Sequence, residues 1–274
     1  VTAAAYGAAE RRPHDPDPGT VEDERMPGQH VVAAFDFDGT LTRGGSVWQF
    51  LTAVRGRPRV LMAGVLLSPL LVRAALFGGR ASDVAKEALF RSTLAGLNAA
   101  DVEQRAEAFG LAHYAGRQRT QMRARLEWHR HQGHELVIVS ASPECYVQAV
   151  GRELGVDAVV ATRLAVDDRG RLTGRFDGPN CRGEQKLARL EQWLATSPTD
   201  DHDGEGAPAG GARPQTASVP RGHGGERPFL WAYGNSAGDR ALLRAADIGV
   251  DAGRLGRLGK LRAFRRLGDV LTAW

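Results

Sequence analysis

Asp36 and Asp38 stand two positions apart in the run Asp36-Phe37-Asp38-Gly39-Thr40-Leu41-Thr42. On an extended segment, or at its end, that spacing points both carboxylates to the same side. Like charges held so close are costly unless a cation lies between them or one keeps its proton. Both solutions suit phosphoryl transfer, in which one carboxylate attacks phosphorus and the other carries a proton to the leaving group. Gly39 permits a sharp turn that brings backbone N–H groups to a phosphate. Taken alone, the run also fits a polar strand end followed by a glycine turn.

Three further groups suit the same chemistry. Ser140-Ala141-Ser142-Pro143 offers a hydroxyl and free N–H groups at a helix start, with Pro143 suited to the first helical position. An ordinary helix cap has the same composition. Lys186, near the start of a helix in "NCRGEQK", can neutralise a phosphate oxygen, although a single lysine is commonly just solvated. Gly234-Asn235-Ser236-Ala237-Gly238-Asp239 is a loop with oxygen ligands and an acid at the following helix start. Magnesium prefers one or two carboxylates together with waters and a substrate phosphate.

The elements needed to position these groups are visible in the hydrophobic pattern. Short apolar runs at Val31–Phe35, Leu136–Val139, Ala158–Ala161, Phe229–Tyr233 and Ile248–Val250 read as buried strands. Helical stretches at Glu144–Leu154, Glu184–Ala195 and Asp239–Ala245 lie between them. That alternation predicts an α/β fold, a doubly wound parallel sheet of Rossmann-like type. Arg163–Ala165 and Leu172–Phe176 flank Asp168-Arg169-Gly170 as a β-hairpin. Residues 45–130 contain helical patterns, among them Val84–Leu94 and Val102–Leu126, and no convincing strand. They read as an all-helical cap inserted over the site, with the core formed by residues 29–44 and 131–250. In open α/β sheets, ligands bind beyond the carboxyl ends of the strands, where all four groups fall.

Together and in this order, the four groups resemble the haloacid dehalogenase-like superfamily. The resemblance runs from about Val31 to Val250 and is to its phosphatases with a helical cap after the first motif, similar to the phosphoserine phosphatase branch (subfamily IB). It implies that Asp36 is the nucleophile that becomes phosphorylated and that Asp38 is the general acid/base. It implies that Thr40, Ser140, Ala141 and Lys186 bind the phosphate, and that Asp36, Asp38, Asn235 and Asp239 hold Mg2+. The second aspartate separates phosphatase-like members from dehalogenases. Asn235 departs from the pattern, which has an aspartate there, so Asp239 is expected to carry more of the metal. Phosphoserine-type members also carry an acid early in the cap, and Arg43-Gly44-Gly45-Ser46-Val47-Trp48 has none. The expected function is a magnesium-dependent phosphatase acting on a phosphate monoester. A non-catalytic binding protein and a phosphotransferase stand as alternatives.

The substrate is expected to be a lipid phosphate or a small soluble metabolite phosphate. The apolar stretch "VLMAGVLLSPLLVRAALFGG" and "NCRGEQK" resemble the phosphatidylglycerophosphate phosphatase subgroup. The stretch reads either as a buried cap hairpin, the preferred reading, or as a surface that touches a membrane. A formal charge of +4 suits an anionic substrate or acidic lipid surface. With no dense Lys/Arg run interleaved with aromatic residues, no nucleic-acid role is expected.

Two cysteines without ligand spacing suggest a cytoplasmic protein, and no apolar stretch after Arg11 and Arg12 suggests a secretory signal. Residues 1–28 and about 197–227 read as disordered, and 251–274 as a basic segment packed on the core. His129, His131 and His134 are read as a solvated helix end, and Cys145 as a small buried side chain.

Overall fold

The computed structural model describes residues 30–196 and 227–253, and the backbone of 265–266. The expected disordered tail and insertion, and nearly all of the basic C-terminal segment, lie outside them.

The chain enters on β1 (Val31–Phe35), whose five residues are all buried. Such a strand needs cover on both faces. It is flanked by β2 (Glu135–Pro143) and β6 (Phe229–Gly234) in a parallel sheet ordered β3-β2-β1-β6-β7-β8. Here β3 is Ala158–Thr162, β7 is Ile248–Asp251 and β8 is the two-residue Arg265–Arg266. The chain thus builds outward from β1 through β2 and β3, then crosses to the other side for β6 and β7. That reversal places a crevice at the carboxyl end of β1. Register makes it shallow and shared, because Phe35 pairs with both Ile138 and Tyr233.

Alternating side chains divide between two cores. Val31, Ala33 and Phe35 join Ile138, Trp231 and Tyr233 on one face, covered by α6 (Thr120–His131) and α7 (Glu144–Glu153). Val32 and Ala34 join Val137, Val139 and Ala232 on the other, where Leu190 of α8 (Glu184–Ala195) and Leu242 and Leu243 of α9 (Arg240–Ala245) pack. Both cores are continuous beneath the site, so the loops at the strand ends rest on rigid elements.

Five cap helices follow β1: α1 (Val47–Arg55), α2 (Arg57–Leu66), α3 (Ser68–Phe77), α4 (Gly79–Leu94) and α5 (Ala99–Arg117). The single helical pattern expected over Val102–Leu126 is broken after Arg117. There the chain returns to the core by pairing with the segment that left it: Arg43 N–H donates to the Arg117 carbonyl (2.8 Å) and Arg119 N–H to the Leu41 carbonyl (2.9 Å). The cap therefore closes on itself at residues 43 and 117. The following helix α6, expected in the cap, instead lays Arg125 and His129 on Tyr233 of the sheet. The hairpin of β4 (Leu164–Val166) and β5 (Leu172–Phe176) is antiparallel as expected and docks on the cap. Gly174 (φ 74°) permits that docking, since a Cβ there would lie 2.4 Å from Arg91 Cα.

Candidate active site

Asp36 follows β1 directly, and its backbone N–H still donates to the Tyr233 carbonyl (2.9 Å). This last ladder bond fixes the carboxylate at the mouth of the crevice. Its Oδ1 accepts from Lys186 Nζ (2.5 Å) and its Oδ2 from the Thr40 hydroxyl (3.0 Å). Lys186 projects from the first turn of α8 and is only 1% exposed, so its charge must be paired. The pairing is double, because Asp239 Oδ1 also accepts from Nζ (2.5 Å). Burial works against the lysine's charge, but Asp239 and Asp36 outweigh it and its pKa is raised. Burial pushes the Asp36 carboxyl up to about 7, reinforced by Asp239 and opposed by Lys186.

Asp38 is divided between two roles. Its Oδ2 accepts from the hydroxyls of Ser142 (2.7 Å) and Ser46 (2.8 Å). Its Oδ1 is buried and has no partner. The Ser46 hydroxyl in turn lies 2.6 Å from Tyr146 OH. Burial and the Asp38 charge raise the tyrosine pKa well above its ordinary value, so the phenol keeps its proton. Ser140 is buried, and its Oγ accepts from Ser142 N–H (3.0 Å), leaving its own O–H to donate.

Asn235 follows β6 and sits over the Gly39 turn. Gly39 has φ 83°, and a Cβ there would lie 1.9 Å from the Asn235 amide nitrogen, so only glycine permits the approach. Turned with its NH2 group inward, the amide donates to the Asp38 carbonyl (3.1 Å) and to Asp36 Oδ2 (3.3 Å). Turned the other way, it adds a third oxygen to that carbonyl and carboxylate. One carboxylate, one carbonyl and one amide make a donor set that a small hard cation accepts. Among the described residues no group of three or more His, Cys, Asp or Glu gathers to hold a metal.

Asp239, expected as a metal ligand, is engaged elsewhere. Besides the Lys186 bond, its Oδ2 accepts from the N–H groups of Asn235 (3.1 Å) and Ser236 (2.9 Å) and from the Ser236 hydroxyl (2.8 Å). Together with the Ser236 side chain it forms a capping box over the short helical turn Ala237–Asp239. These bonds tie Asp239 to Lys186 and to the Asn235 loop. Pro143 also differs from expectation: it precedes the first residue of α7 as its cap, while Ser140–Ser142 continue β2.

Several residues enter the site that spacing alone did not assign. Ser46 and Ser142 lay inside quoted motifs, but their common target, Asp38, is visible only in space. Lys86 of α4 donates to the Ala141 carbonyl (2.5 Å) and to Asn180 Oδ1 (2.8 Å), tying the cap to the end of β2. Burial lowers its pKa to about 8, against the pull of Asp38. Arg119 donates to the carbonyls of Gly39 (2.7 Å) and Ala252 (2.5 Å), bracing the glycine turn.

With this geometry in place, the sequence relationships become interpretable. Residues 33–209 match the haloacid dehalogenase-like hydrolase family. The chain belongs to that family. It is 36% identical over 222 residues to protein CicA of Caulobacter vibrioides, covering 81% of this chain and 86% of the relative. By fold it is similar to a Bordetella pertussis Tohama I protein of unknown function, with a TM-score of 0.65 at 21% identity, over 87% of this chain and 98% of the other. A phosphoserine phosphatase captured as a phospho-aspartyl intermediate analogue has a TM-score of 0.53 at 18% identity, over 89% of this chain and 98% of the other. These likenesses carry the doubly wound family core.

His129 and His134, read in the sequence as part of a solvated helix end, are buried, with their Nδ1 atoms 2.7 Å apart. His129 Nε2 reaches Tyr233 OH (2.7 Å), so this pair belongs to the packing of α6 on the sheet. Cys145, read as a small buried side chain, is half-buried, and desolvation pushes its thiol up to about 12.

Proposed function

We propose that this chain is a magnesium-dependent phosphatase that hydrolyses a phosphate monoester through an aspartyl-phosphate on Asp36. The observation that carries the reading is the pairing of a clamped Asp36 carboxylate with an Asp38 whose Oδ1 is buried and unpartnered. A nucleophile must be held still, and a proton carrier must have an atom free. Asp36, the Asp38 carbonyl and Asn235 would hold Mg2+, which supplies positive charge against Asp36 and the phosphate oxygens.

In the first step an Asp36 oxygen attacks phosphorus and the bond from phosphorus to the ester oxygen breaks. The leaving oxygen takes its proton from the Asp38 carboxyl. Lys186 balances charge at Asp36, and the hydroxyls of Thr40 and Ser140 donate to the phosphoryl oxygens. In the second step the Asp38 carboxylate removes a proton from water as the water oxygen attacks phosphorus. Inorganic phosphate leaves and the Asp36 carboxylate is restored. Preorganised donors of this kind usually supply the largest share of rate enhancement.

The test is hydrolysis of an aryl phosphate by wild type and by Asp36→Asn with magnesium present. Turnover by wild type and none by the variant is expected, together with a hydroxylamine-sensitive phosphoryl label on wild type alone. Turnover retained by Asp36→Asn would overturn the assignment.

One observation favours a second reading, a non-catalytic phosphate-binding protein. Asn235 brings no charge to the cation position, and its NH2 group can satisfy Asp36 and Asp38 directly. In that case wild type is inactive with magnesium and Asn235→Asp gains turnover.

A further inference from the structure

The apolar stretch after α1 is not buried in the cap. α2 and α3, ten residues each, meet at a bend of 71°. α2 buries Val60 and Ala63 against the core, while Met62, Val65 and Leu66 on its outer side are 64%, 71% and 72% exposed. α3 buries none of its residues, and Val72, Leu76 and Phe77 are 57%, 74% and 76% exposed. The preferred sequence reading, a buried hairpin, is therefore overturned. A helix inside a water-facing domain shows an apolar inner face and a polar outer one, whereas α2 is apolar on both. Contiguous exposed apolar surface of this kind marks an interaction site.

Charge identifies the occupant. Between Asp38 and Asp83 the chain has six arginines, at 43, 55, 57, 59, 73 and 80, and no aspartate or glutamate. Arg57 and Arg59 are exposed at the start of α2, Arg73 on α3, and Arg80 just beyond its end. An apolar helical surface whose own two helices carry arginines and no acid matches an anionic bilayer, where apolar side chains enter the acyl boundary and arginines meet lipid phosphates. Two ten-residue helices of about 15 Å each, bent sharply, do not make a straight crossing of a hydrocarbon core about 30 Å thick. Among the described residues no single helix is long and apolar enough to cross a membrane. The shape suits shallow insertion.

Both stems of this hairpin lead to the catalytic groups. α1, on the entering side, starts after Ser46, which bonds Asp38, and α4, on the returning side, carries Lys86 to the Ala141 carbonyl. We propose that α2 and α3 dock the protein on an anionic membrane surface, and that its substrate is a phosphate monoester carried by a lipid in that bilayer. The substrate half of this proposal rests on the phosphatase reading above, and the docking half does not.

The test uses the full chain and vesicles of phosphatidylcholine, with or without phosphatidylglycerol. Wild type is expected to float with the anionic vesicles, and at least tenfold less with neutral ones. A Leu66→Glu/Leu76→Glu double variant is expected to lose flotation at least tenfold while its hydrolysis of a soluble aryl phosphate is unchanged. Its release of phosphate from vesicle-borne phosphatidic acid should fall in step with flotation. Wild type that does not float overturns the docking, as does a double variant that floats like wild type. Sedimentation giving a wild-type dimer that the variant splits, without flotation, assigns the surface to a second copy and likewise overturns it. Flotation with phosphatidic acid left intact, while the aryl phosphate turns over, overturns the lipid substrate alone. Flotation with neither ester hydrolysed overturns the phosphatase reading and leaves the docking supported.

Discussion

The Ser46 hydroxyl, from the residue that opens the cap, donates to Asp38 Oδ2 across 2.8 Å, and Ser142 donates to the same oxygen from the core. Cap and core thus share the orientation of one carboxylate, and each supplies one of the two hydroxyls. Holding Oδ2 from two sides leaves Oδ1 as the oxygen without a partner.

Shared support of this kind makes the two serines non-additive. A hydrogen bond to a charged group contributes about 1.5–3 kcal/mol, and either one alone still orients Asp38. Ser46→Ala and Ser142→Ala are expected to lower kcat by about tenfold each, and the double variant by more than the product. The effect should be larger for an alkyl phosphate, whose leaving group needs the proton, than for an aryl phosphate. Measuring kcat for both esters across the four proteins checks this.

Replacing Asn235 with aspartate is expected to tighten magnesium. A second carboxylate at the cation position should lower the half-activating magnesium concentration about tenfold, or on the order of 1.4 kcal/mol. The substitution also removes the NH2 group that bridges Asp36 and Asp38, so stability without metal should fall. A magnesium titration of turnover and a melting curve in chelator read the two effects separately.

Lys186→Met tests the buried cluster. Removing the cation leaves the Asp36 and Asp239 carboxylates facing each other in a dry site. Breaking a buried ion pair from one side typically costs about 3–5 kcal/mol. The denaturation midpoint should drop accordingly, and Asp239→Asn added to Lys186→Met should recover part of the loss.

Stability should also fall on mild acidification. Burial, aided by Arg125 and His134, holds the His129 pKa well below its ordinary 6.5, so the unfolded chain binds the proton more readily. The folded state therefore keeps its full advantage above 6.5 and loses it progressively as pH falls below that value. Melting temperatures at roughly pH 8 and roughly pH 5 should differ for wild type. The difference should be smaller for His129→Gln, which takes up no proton in this range.

Much of this protein was legible before any coordinates. Five sheet strands, the hairpin, an inserted helical block and the polar groups at strand ends follow from local rules, since a strand covered on both faces must be apolar and an exposed turn must be polar. Asp36, Asp38, Thr40, Ser140 and Lys186 are local signals of that kind. Asp239, expected at the cation, bonds Lys186 and Ser236, because a side chain four residues from Asn235 can serve either a cation or its own loop. The extent of the cap was misjudged for a related reason. α5 and α6 share one continuous helical pattern, and the break at Gln118 comes from backbone pairing with Leu41 and Arg43, far away in sequence.

What only the tertiary structure decided is which apolar surfaces are covered. α2, α3 and β1 are all rich in apolar residues, and a hydrophobic segment reads the same whether its neighbours enclose it or leave it bare. Burial depends on the elements packed around a segment: β1 has strands on both sides and helices on both faces, while α3 buries none of its residues fully. The sequence by itself determined the sheet and the polar motifs at its strand ends, because those are set by spacing and period. The convergence of Ser46, Ser142 and Lys86 on the site, and the bare apolar hairpin, required the fold, because long-range contacts leave no periodic trace in the chain.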